Sequence, residues 1–186
     1  FPETTIGIYP GLGGTQRSVR ISGIECARYA ALAGNFLDSE TAKSFGFLTH
    51  VTNPSGINEL IDKISNSGKN KNKYPGKPAD MTDNLVQFAM EFYSEENIEK
   101  ILKGESNDIV IHDEKLKSLQ IKNLSRCAPI ALKICDKLLQ TAVKTGDNLT
   151  LGLEAELDEL GVIFSTNDAL EGLSSLIERR RPIYSS

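Results

Sequence analysis

Apolar and polar positions along most of the chain alternate in a helical rhythm. Thr15-Gln16-Arg17 opens a helical pattern through Val19, Ile24, Ala27, Ala30 and Ala31, interrupted near Ser22-Gly23 and ended at Gly34. Asp38 and Ser39 predict the cap of a short helix over residues 40–45 that stops at Gly46, and Pro54 begins another through Leu60, Ile61 and Ile64. Residues 85–93 and 97–102 read as two short amphipathic helices in an acidic setting. The last third is helical throughout. Leu116, Leu119 and Leu124 mark one helix; Pro129 takes a first-turn position of the next, with the stripe Ile130, Ile134, Leu138 and Ala142. A third runs through Leu153, Leu157, Leu160 and Phe164, with Glu154, Glu156, Asp158 and Glu159 read as its wet sides. Ser165 with Asp168 three residues on resembles a capping box for a final helix reaching Arg181 and closed by Pro182.

Three stretches break this rhythm. Ile6 and Ile8 alternate before the breaker cluster Pro10-Gly11-Leu12-Gly13-Gly14, which predicts a short buried strand running into a glycine turn. Residues 47–51 read as the end of a second strand. Residues 65–80 turn polar, with Lys69, Lys71, Lys73 and Lys77 among Asn, Gly and Pro, and are expected to be a solvated surface excursion. The same lysines would suit an anionic ligand, but no aromatic stacking pattern accompanies them to favour nucleic acid.

Composition narrows the function. The 186 residues suffice for one domain, with or without a small satellite, and for a hydrophobic core that needs neither disulfides nor a metal. Twenty-one basic and twenty-five acidic side chains give 21 − 25 = −4, so no global positive field favours a nucleic-acid partner. No apolar run reaches the ~20 residues of a membrane span. Cys26, Cys127 and Cys135 form no C-x-x-C spacing and cannot all pair, which predicts buried thiols in a reducing, cytoplasmic setting. With His50 and His112 the only histidines, no metal site is expected and a Ser/His/Asp triad is poorly supported. The chain starts at Phe1 rather than Met and carries no signal-peptide pattern, so a preceding segment is expected.

The run from Phe1-Pro2-Glu3-Thr4-Thr5 through Pro10-Gly11-Leu12-Gly13-Gly14-Thr15-Gln16-Arg17 resembles the central signature of the crotonase (enoyl-CoA hydratase/isomerase) superfamily. The likeness continues through Leu32-Ala33-Gly34 and Ser39-Glu40-Thr41-Ala42-Lys43, resumes around Ala128-Pro129-Ile130-Ala131-Leu132-Lys133, and closes at Phe164-Ser165-Thr166-Asn167-Asp168-Ala169-Leu170-Glu171-Gly172 and Glu178-Arg179-Arg180-Arg181-Pro182. Residues 66–112 lie largely outside it. It implies an α/β crotonase-like fold, a ββα spiral, of which this chain is the C-terminal part, mostly α with a few short strands. The expected division is residues 1–65 as the end of the spiral core, 66–112 as a Lys-rich loop and acidic helical insertion, and 113–186 as a helical oligomerisation region. The first half of the spiral, with both oxyanion-hole amides and one of two acid/base carboxylates, is expected to lie outside the chain.

The resemblance implies an acyl-CoA thioester as substrate, coenzyme A being part of that substrate and no separate cofactor being required, and a homotrimer or hexamer. Glu3 aligns with the glutamate associated with proton delivery to the α-carbon; beside an apolar acyl pocket its neutral form would be favoured by desolvation, which suits a general acid. Gly11, Gly13 and Gly14 could present backbone N–H groups to a water or a thioester, with Leu12 beside the substrate, because glycine lets the main chain approach closely; a plain tight turn explains them equally. Arg179 and Arg181 are candidates for coenzyme A phosphates, although cations late in a helix need no ligand. His50 is expected to make a local hydrogen bond, at a turn where hydratases commonly carry an acid. Three readings stay open: hydration or isomerisation of a 2-enoyl-CoA, with this chain alone inactive; hydrolysis of a 3-hydroxyisobutyryl-CoA-type thioester; and a non-catalytic assembly domain of a larger β-oxidation protein.

Overall fold

A computed structural model describes residues 1–66 and 79–185; Lys69, Lys71, Lys73 and Lys77 lie outside them. The described residues form ten α-helices and three short 3₁₀ turns, with no strand among them. In chain order the helices are α1 (Gly14–Ser22), α2 (Ile24–Ala31), α3 (Ser39–Ser44), α4 (Ile57–Asn66), α5 (Asn84–Phe92), α6 (Glu95–Leu102), α7 (Glu114–Leu124), α8 (Pro129–Thr145), α9 (Leu149–Phe164) and α10 (Asn167–Ile177).

Helix α8 is the axis of the structure. Ala131, Leu132, Ile134, Cys135, Leu138, Leu139 and Ala142 are buried on it, and α1, α2 and α9 pack against it. Small residues at 131 and 142 let neighbouring helices come close, and the leucines fill the space between them. Arg28 of α2, fully buried, ties the layers together. Its Nε lies 2.7 Å from Asp136 of α8, its Nη1 donates to the Tyr93 carbonyl at 3.1 Å, and its Nη2 lies 2.9 Å from Glu95 at the start of α6. A buried cation with this many partners keeps the geometry of three elements fixed, and removing one partner would strand the other charge.

The expected strands are absent from the described residues. Where Ile6 and Ile8 alternate, the chain instead makes a 3₁₀ turn, Glu3–Ile6, closed by Thr5 N–H to the Pro2 carbonyl at 3.0 Å and Ile8 N–H to the Glu3 carbonyl at 3.1 Å. A strand needs a ladder partner for its peptide groups. Here local bonds satisfy them, and the Thr4 carbonyl accepts the Ala128 N–H at 2.9 Å. Residues 47–51 are likewise irregular, with Leu48 N–H returning to the Ala42 carbonyl at 3.1 Å.

Two helix ends also differ from expectation. Thr166, not Ser165, caps α10, its Oγ1 accepting the Ala169 N–H at 3.0 Å, while the Ser165 hydroxyl turns back to the Val162 carbonyl at the end of α9. Helix α10 ends at Ile177, short of Arg181. Arg179 takes a left-handed φ of 55°, its N–H donating to Leu176 O at 3.3 Å and that of Arg180 to Ser175 O at 3.0 Å. That pair of bonds is a Schellman ending with arginine where glycine is usual.

Candidate active site

The segment bearing Glu3 is seated on the helical body from several sides. Thr4 is fully buried, and its hydroxyl lies 2.9 Å from the Leu32 carbonyl and 3.3 Å from that of Ala31. Gly7 and Gly172 bring the 3₁₀ turn and α10 into backbone contact: a Cβ on Gly7 would lie 2.3 Å from the Asp168 carbonyl oxygen, and one on Gly172 would lie 2.2 Å from the Ile6 carbonyl oxygen. Only glycine fits at both positions. From the C-terminal tail the Tyr184 hydroxyl donates to the Thr5 carbonyl at 2.7 Å.

Within this seat Glu3 is half-buried, and its Oε2 is buried without a hydrogen-bond partner among the described residues. A buried polar atom left unpaired costs stability, and such atoms cluster where a ligand completes them. The thiols of the core are not competing nucleophiles. Burial, with the charges of Asp136 and Glu3 adding to it, pushes the Cys135 thiol well up; burial also raises Cys127 to about 11 and Cys26 to about 12. All three cysteines are free and buried, as their spacing predicts. Glu3 does not line either of the two clefts nearby. One, of about 380 Å³, is walled by Phe1, Pro2, Ala30, Phe36, Leu37 and Phe47; the other, of about 340 Å³, is formed by the glycine turn with Arg17 and Ile21. The two share Phe1 and Phe47.

The glycine turn separates its candidate donors. Leu12 and Gly13 both adopt positive φ, 55° and 82°, and Leu12 is almost wholly exposed. Gly14 N–H donates to the Gly11 carbonyl at 2.9 Å, and Gly13 N–H donates to Glu156 Oε2 at 2.6 Å. Gly13 is therefore not an open donor, contrary to expectation: a carboxylate of the protein already occupies it. The N–H groups of Gly11 and Leu12 donate to no described residue. Arg17 Nη1 holds the Leu12 carbonyl at 2.6 Å and lies where a Cβ on Gly13 would fall, 1.8 Å away.

Glu156 was expected on the wet side of α9 and is instead buried, 4% exposed. Its carboxylate also accepts the Thr15 hydroxyl at 2.5 Å, and its backbone carbonyl accepts the Tyr9 hydroxyl at 2.5 Å. Burial and the Glu156 charge raise the Tyr9 phenol to about 12, so it stays a donor. Asp168, also buried, accepts the Ile130 N–H at the start of α8, although at a long 3.4 Å. Both helices thus begin at residues without a capping side chain, Gly13 and Ala128, and both receive a carboxylate from another helix.

Arg179 and Arg181 stand beyond the end of α10, exposed, and line neither cleft. The arginine between them is the engaged one. Arg180 Nη2 lies 2.8 Å from Glu171 Oε2, Nη1 reaches Oε1, and Nε reaches Glu178. His50 makes the expected local contact, 2.9 Å from the Thr49 hydroxyl. Sequence reasoning missed Glu156, although a signal existed: Gly152, Glu156 and Ile163 share one helical face, and all three are buried. Gly152 marks the close approach of α1, since a Cβ there would lie 2.1 Å from Gln16 Oε1.

The enoyl-CoA hydratase/isomerase family model matches residues 1–185, and the chain belongs to that family, within the crotonase superfamily. Over 99% of its length it is 23% identical to a probable mitochondrial enoyl-CoA hydratase 2 of Arabidopsis thaliana, covering 42% of that protein. It is 23% identical to the 2,3-dehydroadipyl-CoA hydratase of Escherichia coli over 98% of its length, covering 49% of that relative. Over 65 residues it is 38% identical to the enoyl-CoA isomerase/hydratase fer4 of Mycosarcoma maydis, 35% of this chain and 24% of that one. The chain spans less than half the length of these curated relatives. No solved structure matches it. No helix among the described residues is long and apolar enough to cross a membrane.

Proposed function

We propose that the chain contributes to a site that hydrates or isomerises a 2-enoyl-CoA thioester, with Glu3 delivering the proton to the α-carbon. The observation that carries this reading is the buried, unpartnered Glu3 carboxylate oxygen, set in a segment that backbone contacts hold in place. In hydration, a water oxygen adds at the β-carbon and the proton goes to the α-carbon. The negative charge that develops on the thioester oxygen needs N–H donors aimed at it. Gly11 N–H is the open backbone donor of the glycine turn that we assign to water or thioester oxygen, with Leu12 N–H beside it. Arg179 and Arg181, free of ion pairs among the described residues, are assigned to coenzyme A phosphates. The second carboxylate and further oxyanion donors are placed outside this chain, in keeping with its span of less than half its relatives. Assembly through α9 and α10 belongs to the same reading, since Leu157, Leu170 and Leu176 are exposed there.

The test is hydration of crotonyl-CoA, followed by loss of enoyl absorbance, for the polypeptide of the complete reading frame with Glu3 and with Glu3→Gln. Turnover is expected to fall by at least about 10²-fold with the thermal midpoint unchanged. Equal turnover in the variant would remove Glu3 from the mechanism. Release of free thiol from 3-hydroxyisobutyryl-CoA, with crotonyl-CoA left unchanged, would make the protein a thioester hydrolase instead.

A further inference from the structure

A buried carboxylate beside the glycine turn belongs to none of the residues assigned above. Glu156 sits on α9, 143 residues from Gly13 in sequence, and touches the glycine turn on both flanks. Ahead of the turn, Tyr9 donates its hydroxyl to the Glu156 carbonyl; behind it, Gly13 N–H and the Thr15 hydroxyl donate to separate carboxylate oxygens. No ion pair among the described residues neutralises it. A carboxylate buried without a cation is costly unless hydrogen bonds replace its water. Here the replacements are one N–H at the positive end of α1 and one hydroxyl, a charge-assisted pair.

The consequence for the turn is directional. Residues 12 and 13 both have positive φ, and Leu12 has no glycine freedom to make that cheap. The Pro10 carbonyl accepts the Thr15 N–H at 3.3 Å and the Gly11 carbonyl accepts the Gly14 N–H at 2.9 Å, so the Gly11 and Leu12 N–H groups, at the opposite ends of those trans peptide units, are left without a partner among the described residues, while Glu156 pins the Gly13 N–H and the Thr15 hydroxyl just behind them. We infer that Glu156 is a positioning residue for this site: from α9 it fixes the glycine turn so that the Gly11 and Leu12 N–H groups stay open to a thioester or water oxygen. The inference rests on the enoyl-CoA reading above for the identity of that oxygen, and on the hydrogen bonds alone for the role of Glu156.

The experiment is amide NMR on the ¹⁵N-labelled polypeptide of the complete reading frame, for the unsubstituted protein, Glu156→Gln and Thr15→Val, each alone and titrated with butyryl-CoA. Gly13 is expected to show a downfield amide proton from its short bond to a carboxylate, and Glu156→Gln to move it upfield. Gly11 and Leu12 resonances are expected to shift in the same variant before ligand is added, and affinity for butyryl-CoA to fall about tenfold. Thr15→Val removes one donor and keeps the carboxylate, so it gives the same shifts at smaller amplitude and decides the matter if Glu156→Gln loses a dispersed spectrum. Gly11 and Leu12 resonances and affinity unchanged in the variants would overturn the role of Glu156. Butyryl-CoA leaving the unsubstituted protein unmoved would overturn the enoyl-CoA reading instead, while the ligand-free shifts still decide whether Glu156 sets the turn.

Discussion

Leu12 and Arg179 share a backbone torsion, φ of 55°, that side chains rarely adopt, and the protein holds them there by different means. Around Leu12 a tertiary restraint joins a local one: a buried carboxylate from α9 grips the next residue, while Arg17, five residues on, clamps the Leu12 carbonyl. Around Arg179 it is local: two backbone bonds end α10, and the neighbouring Arg180 closes on Glu171 and Glu178 at the surface. The difference separates a turn that a distant helix shapes from a helix end that its own few residues shape. Only the first ties its backbone N–H groups to the packing of a distant helix.

The strongest way to break the comparison is to unseat the N-terminal segment. Gly172→Ala would drive a Cβ into the Ile6 carbonyl, backbone against backbone, and is expected to cost about 3 kcal/mol of stability in denaturant unfolding. A loss within experimental error would show that α10 and the 3₁₀ turn slide past each other freely.

A middle-sized effect should appear in acid at the other end. Hydrogen bonds from Arg180 and from the Ile183 N–H hold the Glu171 carboxyl down at about 2, below the usual unfolded value of about 4.3. A folded-state value lower than the unfolded one stabilises above the unfolded value, so this contribution is present at neutral pH and is lost as pH falls from about 4.3 toward 2. Arg180→Ala should therefore flatten the thermal midpoint against pH across that window. An acid limb identical to that of the unsubstituted protein would assign it to other carboxylates.

The smallest effects sharpen the contrast itself. Arg179→Gly and Leu12→Gly each relieve a positive φ and should stabilise by at most about 1 kcal/mol, because glycine also gains freedom in the unfolded chain. Thermal unfolding measures both gains, and amide NMR distinguishes the two sites: Leu12→Gly is expected to broaden the Gly11 amide, whereas Arg179→Gly leaves it sharp.

Much of the helical scaffold was legible because its determinants are local. Asp38 caps α3 and Pro129 opens α8 where the sequence places them, and Ser22-Gly23 divides α1 from α2. Local signals misled where peptide groups found partners elsewhere. Ile6 and Ile8 alternate like a strand, yet the Thr4 carbonyl is taken by Ala128 and the segment curls into a 3₁₀ turn. The candidate site divided in the same way. The motif around Glu3 and the glycines pointed to an enoyl-CoA hydratase/isomerase relationship, which the family match supports over residues 1–185.

By itself the sequence determined the periodicity of the helices, the burial of the three thiols and the family, all of which depend on residue type and short-range spacing. Tertiary structure alone decided which glycine N–H is spoken for and that Glu156 belongs to the interior. The reason is physical: a hydrogen bond across 143 residues is selected by how helices pack, and one acidic side chain looks like any other until its neighbours remove the water around it.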